Sequence, residues 1–147
     1  TRREAADCTS ARQGETTAYQ GLPTHYTQKH SATMQLPHTQ ALFLSGIDHR
    51  LPGHSLAQVL ASALELVALP DNDFSWSSWA DAAAATAEIH ALMASVSSGV
   101  MPEQLKVSVL FAVTGPLQEL SLSSGWAQVF VRLAALFDDV EALIWQS

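Results

Sequence analysis

Cysteine is almost absent from this chain of 147 residues. Cys8 stands alone, so no intrachain disulfide and no cysteine-based zinc site can form. Its place among polar residues reads as a free thiol rather than a reactive one. Charge is also scarce, at 14% of residues, and cations scarcer still: 7 Lys and Arg against 14 Asp and Glu, a net charge of −7. Too few cations exist to build a phosphate-binding face, which argues against nucleic acid as a partner. The same sign disfavours anionic membrane surfaces. A basic protein is the partner class that this charge admits most readily. No apolar run reaches the roughly 20 residues of a membrane span, and no apolar stretch of a secretory signal follows Thr1-Arg2-Arg3-Glu4. The expectation is a cytoplasmic protein.

What the chain does have is apolar mass. Hydrophobic residues make up 48%, enough for one core in a chain of single-domain length. They are unevenly distributed. Residues 1–33 hold seven Thr, three Gln and a single aliphatic side chain, Leu22. Such a segment cannot bury enough apolar surface to offset its ordering entropy. Its four cations (Arg2, Arg3, Arg12, Lys29) and three anions (Glu4, Asp7, Glu15) leave it at +1, so the remainder carries −8. The sequence therefore divides into a polar, flexible extension, residues 1–33, and a helical domain, residues 34–147. Met34 is a candidate natural start, with the preceding residues an upstream extension.

Within residues 34–147 the pattern predicts an all-α domain of four or five helices. Pro37, Gly46, Pro52 and Gly53 make residues 34–54 a turn-rich lead-in, with Ala41-Leu42-Phe43-Leu44 as an apolar anchor. Ser55-Leu56-Ala57-Gln58 reads as a capping box. Behind it Leu56, Val59, Leu60, Ala63, Leu64 and Val67 recur at helical spacing, up to a stop before Pro70. Asp71-Asn72-Asp73 forms a turn and an N-cap. A helix is predicted over residues 74–98, with Trp76, Trp79, Ala83, Thr86, Ile89, Met93 and Val96 on its apolar stripe and Gly99 ending it. Residues 102–113 are ambiguous. Pro102 suits a first helical position, yet Leu105, Val107, Val109, Phe111 and Val113 alternate as in a strand. No second strand exists to pair with it, which favours a buried helix. After Thr114-Gly115-Pro116 comes a short helical turn with Gln118 and Glu119. The last helix buries Trp126, Val129, Phe130, Leu133, Leu136, Phe137, Val140, Leu143 and Ile144.

Chemistry is sparse. His49 and His54 flank a Leu-Pro-Gly turn, with Asp48 beside them and His38 upstream, while His25, His30 and His90 lie elsewhere. A spacing of five across a proline turn does not impose the convergence that a three-ligand zinc site needs. Ser55, His54 and Asp48 can be written as a triad, but there is no nucleophile elbow, and Ser55 serves better as a helix cap. Gly115 and Gly125 are isolated, so no phosphate loop is present. These residues give no catalytic site, no metal and no cofactor. Asp138, Asp139 and Glu141 form an acidic stretch on the final helix, with Trp145 as an aromatic neighbour suited to anchoring a partner.

The stretch Leu110-Phe111-Ala112-Val113-Thr114-Gly115-Pro116-Leu117-Gln118-Glu119, followed by Ser124-Gly125-Trp126, resembles a motif of short bacterial proteins of uncharacterised activity. In those proteins Phe-Ala-Pro-Thr-Gly, Leu-Gln-Glu and Ser-Gly-Trp precede a C-terminal helix ending near Phe-Asp, as Phe137-Asp138 does here. Val113 stands where the motif has proline. The resemblance spans about residues 105–140 and implies a bacterial origin and a turn, with no activity attached; on physical grounds Thr114, Gln118, Glu119 and Trp126 fix that turn, Gln118 and Glu119 near a helix N-terminus and Trp126 anchoring the next helix.

These features suit a small acidic protein-binding module, of the immunity or antitoxin type, that neutralises a basic partner. The rivals are a structural or self-associating helical domain and a hydrolase using the His49–His54 loop. Deleting residues 1–33 is expected to leave thermal unfolding nearly unchanged. A loss above about 2 kcal/mol, the scale of one buried side chain, would show that the segment docks.

Overall fold

A computed structural model describes residues 36–146. Cys8, Leu22, His25 and His30 lie outside the described residues, as does the proposed extension. All regular structure among the described residues is helical: α1 (Pro37–Ser45), α2 (Pro52–Val67), a 3-10 turn (Phe74–Trp76), α3 (Ala82–Ser97), α4 (Gln104–Phe111), α5 (Pro116–Ser124) and α6 (Ala127–Trp145). The all-α expectation holds.

Prolines start helices here as often as they break the chain. Pro37, Pro52 and Pro116 each open one, where the missing N–H has no intrahelical partner to lose. The Ala41–Leu44 anchor is thus part of a nine-residue helix rather than a turn-rich lead-in. Its N-terminus is capped from a distance: the Glu65 carboxylate on α2 accepts the His38 N–H at 2.7 Å and the Thr39 N–H at 2.8 Å. The Thr39 hydroxyl also bonds Glu65 at 2.9 Å and meets the Ser62 hydroxyl at 2.7 Å. Gly46, at φ +71°, takes the chain out of α1 through a conformation that side chains disfavour.

α2 starts at Pro52, three residues before the predicted capping box, and no side chain caps it. Ser55 is instead fully buried in the first turn. Its hydroxyl accepts the Asp48 N–H at 2.9 Å and donates to the Asp48 carbonyl at 3.0 Å, closing the loop before the helix. Leu56, Val59, Leu60, Ala63 and Val67 are buried as their spacing requires, and Leu66 joins them while Leu64 is only half-buried.

The helix predicted over residues 74–98 is broken. The 3-10 turn ends at Trp76, and α3 begins only at Ala82. Short polar side chains offer the backbone local partners that compete with helix. The Asp73 carboxylate accepts the Ser75 N–H at 2.9 Å, the Ser77 hydroxyl accepts the Trp79 N–H at 3.2 Å, and Asp81 caps α3 through the Ala84 N–H at 2.9 Å. The Ser75 hydroxyl and N–H together hold the Asp73 carboxyl below its ordinary range. The break rotates the stripe. Trp79 is buried, but Trp76 is 75% exposed, contrary to its assignment to the core. Ala85, Ile89 and Leu92 are the buried residues of α3, and Ala83 faces solvent.

α4 is a helix, although it starts at Gln104 rather than Pro102. Val107, Leu110 and Phe111 point inward, so the strand-like alternation splits between two sides of the helix. In α6 Phe130, Leu133, Phe137 and Val140 are buried at helical spacing. Phe137 stacks on Phe111 with ring centroids 4.4 Å apart. The core converges on α2, which packs against α1, α3, α5 and α6.

Trp79→Ala and Phe130→Ala are each expected to cost about 3–5 kcal/mol, whereas Trp76→Ala should stay within about 0.5 kcal/mol. Chemical unfolding of the three variants checks this. Equal losses at both tryptophans would contradict the break at residues 77–81.

Candidate functional site

Three groups of residues merit a functional reading, and their surroundings differ sharply. The first is the acidic stretch of α6. On a helix of 3.6 residues per turn, Asp138, Glu141 and Trp145 fall in one row, with Asp139 beside it. Asp138 and Asp139 are exposed, and Glu141 is half-buried. Glu141 accepts a hydrogen bond from the Gln104 side-chain amide at 3.1 Å, which ties the row to the start of α4. Trp145 is not free-standing, since it packs partly buried against the core.

The electrostatics of this row are unfavourable to itself. Partial burial raises the Asp138 carboxyl above its ordinary value, and the charges of Glu141 and Asp139 raise it further. The row also sits in the C-terminal half of α6, toward the negative end of the helix dipole, and the last turn holds no basic residue. A cation placed here from outside would relieve repulsion that the helix cannot relieve internally.

The second group is the turn around α5. Thr114 has φ +67°, a left-handed conformation rare outside glycine, and its N–H is taken by the Gln118 side-chain oxygen. Gly115 has no room for a side chain, because a Cβ there would collide with the Val109 carbonyl and lie 2.9 Å from the Ala112 carbonyl. Glu119 lies in the first turn of α5, where the dipole favours it. Trp126 is buried, and its indole N–H donates to the Asn72 side-chain oxygen at 2.8 Å. Asn72 in turn donates to the Leu66 carbonyl at 2.8 Å. Ser124 accepts the Asp73 N–H at 2.9 Å, and Ser123 donates to the Asp73 carbonyl at 2.7 Å. The three bonds to Trp126, Ser124 and Ser123 latch the loop after α2 to the break between α5 and α6. The sequence places Asn72 in a turn and Ser124 in the Ser-Gly-Trp motif, but it gives neither of them, nor Ser123, these tertiary partners. The only hint lay in their turn-forming types beside Asp73 and Gly125.

The third group surrounds His49 and His54. An open cleft of about 520 Å³ is lined by Asp48, His49, Arg50, His54 and Gln58, among others. Ser55 does not contribute to it as a nucleophile, because its hydroxyl is buried and bonded to the Asp48 peptide on both sides. The Asp48 carboxylate turns to Arg50, accepting its backbone N–H at 2.9 Å and lying 3.5 Å from its guanidinium. Ser55, His54 and Asp48 are therefore close in the chain without forming a relay. His38 lies exposed in the first turn of α1 and His90 lies exposed on α3. No cluster of three or more metal-binding side chains occurs among the described residues.

No described helix is long and apolar enough to cross a membrane. No family model matches the chain, and neither a curated protein nor a solved structure matches it.

The raised Asp138 carboxyl has a definite consequence for stability. A carboxyl whose value is higher in the folded than in the unfolded state favours folding when protonated, and that benefit is lost as pH rises through the folded value. Asp138→Asn should therefore melt above the wild type at neutral pH, with the gap closing as pH falls below the ordinary value of 3.8. Melting curves across this range test it, and a gap independent of pH would show that the cluster does not interact.

Proposed function

We propose that the domain is a protein-binding module that receives a basic partner on the acidic face of α6, in the manner of an immunity or antitoxin protein in the cytoplasm. The observation that carries this reading is the like-charge row itself. Asp138, Asp139 and Glu141 stand together in the C-terminal half of α6, whose last turn holds no basic residue, and their like charges add to the partial burial that raises the Asp138 carboxyl. The wider surface supports it. Removing the four cations and three anions of residues 1–33 from the totals of 7 and 14 leaves 3 cations against 11 anions in the rest of the chain. Charge of one sign speeds encounter with a basic partner and discourages acidic ones. Trp145, half-buried at the edge of the row, offers apolar contact with little side-chain ordering left to lose.

The reading gives the chain no catalytic role. The Ser55 hydroxyl is already engaged by the Asp48 peptide, which leaves the histidine cleft without a nucleophile from that triad. A structural or self-associating domain is the rival reading.

Pull-down from native lysate should recover a stoichiometric basic protein. Association rates with that protein, measured at low and high salt, then test the face. Reversing Asp138 and Asp139 to Lys should slow association markedly and reduce its salt dependence while leaving the fold intact. Unchanged rates and salt dependence would remove α6 from the interface.

A further inference from the structure

α1 is seated on the domain by few apolar contacts. Of its nine residues only Thr39 and Leu42 are buried, and Leu36, just before it, is the third buried side chain at this end. Leu44 is 90% exposed, and Phe43 is partly buried with the Arg132 guanidinium of α6 over its ring at 4.2 Å. α2, by contrast, buries six apolar side chains along a single face.

The conformation of α1 also depends on its docking. Isolated helices shorter than about 12–15 residues are marginal in water. Leu36 stands at the N-cap with no side-chain acceptor to offer. The cap is supplied by Glu65 of α2 instead. One carboxylate oxygen accepts the His38 N–H at 2.7 Å, and the other accepts the Thr39 N–H at 2.8 Å and the Thr39 hydroxyl at 2.9 Å. A carboxylate at the positive end of a helix dipole binds through charge as well as through these bonds. Undocking removes the cap, so α1 does not leave as a helix. Docking and helix formation are one event.

Opening this contact leaves no polar group stranded. The Thr39 and Ser62 hydroxyls, the Glu65 carboxylate and the two N–H groups all pass to water, which satisfies them. Segments with few buried apolar contacts open at lower free energy than a core does. The limit of such an opening is set on the C-terminal side. Asp48 is pinned there, with its N–H and carbonyl both bonded to the buried Ser55 hydroxyl. Only Gly46 and Ile47 separate that pin from the end of α1, and Ile47 already packs against the core. Gly46 remains as the hinge. Its φ is +71°, and nothing lies within 4 Å of the position a Cβ would take, so no packing opposes its rotation.

We propose that α1 is a releasable strap, which opens as one unit about Gly46 while α2 to α6 stay folded, and that Glu65 is the positioning residue that keeps it closed. Opening uncovers the Ser62 hydroxyl and the Glu65 carboxylate on α2, whose present occupant is the first turn of α1. The strap is also the segment through which residues 1–35 join the described domain, so whatever engages those residues acts on α1 first.

Hydrogen exchange of the full chain under native conditions, read segment by segment by mass spectrometry, tests the proposal. Amides of α1 should exchange at least roughly 100-fold faster than those in the middle of α2 and α6, through an opening that leaves the latter protected. Glu65→Gln keeps the size of the side chain but removes its charge and one acceptor oxygen. It should speed exchange in α1 by about tenfold and leave α2 and α6 unchanged. Thr39→Val should act in the same direction, whereas Thr39→Ser, which keeps the hydroxyl, should stay close to the wild type. Equal protection of α1, α2 and α6 overturns the proposal, because α1 would then open only with the whole domain. A Glu65→Gln change that speeds exchange equally everywhere, or not at all in α1, overturns it too. None of these readouts involves the acidic row of α6, so the strap and the binding of a basic partner are tested separately.

Discussion

The burial of α2 is the constraint from which the rest of the molecule follows. Leu56, Val59, Leu60, Ala63, Leu66 and Val67 are wholly removed from solvent, and so are Ser55 and Ser62 on the same helix. An apolar side chain accepts many neighbours, but a buried hydroxyl without a hydrogen bond costs about 1–3 kcal/mol. The two serines therefore decide what can dock against α2. Ser55 requires a backbone segment with a free N–H and carbonyl, and the Asp48 peptide supplies both. Ser62 requires a polar partner from α1, and Thr39 supplies it. Glu65, one turn further on, completes the arrangement by capping the start of α1. Among the described residues no buried side-chain polar atom lacks a partner.

A second set of polar contacts fixes the other end of α2. Its last turn delivers the Leu66 carbonyl to Asn72, and Asn72 passes the connection to the Trp126 indole. Trp126 combines a large apolar body with a single donor, so it can fill the core and still be oriented by one bond. With Asp73 held between Ser123 and Ser124, the α5–α6 break is positioned by the loop that follows α2. The direction of α6, and with it the placement of Asp138, Asp139 and Glu141, depends on this latch.

The outer surface then separates into regions of different electrostatic character. The C-terminal half of α6 concentrates like charge toward the negative end of its helix dipole, while α4 and its N-cap hold one cation, one anion and the exposed Leu105 and Val109. Gln104 bridges the two by its bond to Glu141.

Local sequence determined the all-α class and the inward faces of α2 and α6, because long helices with regular apolar spacing have only one side that can be buried. The acidity of the surface was equally legible, since charge needs no fold to be counted. Tertiary structure decided the rest. α1 buries little beyond Leu36, Thr39 and Leu42, and its cap comes from Glu65, 26 residues along the chain from Thr39, so no local pattern announces it. Trp76 and Trp79 look equivalent in the sequence, but Ser77 holds the backbone out of helix between them and Asp81 starts the helix only after Trp79, so one faces outward. The alternating residues of α4 satisfied strand and helix patterns alike, and a helix won where no second strand offers its hydrogen bonds. In each case the residues nearby permitted several conformations, and the deciding hydrogen bond or contact had to be available before one of them could prevail.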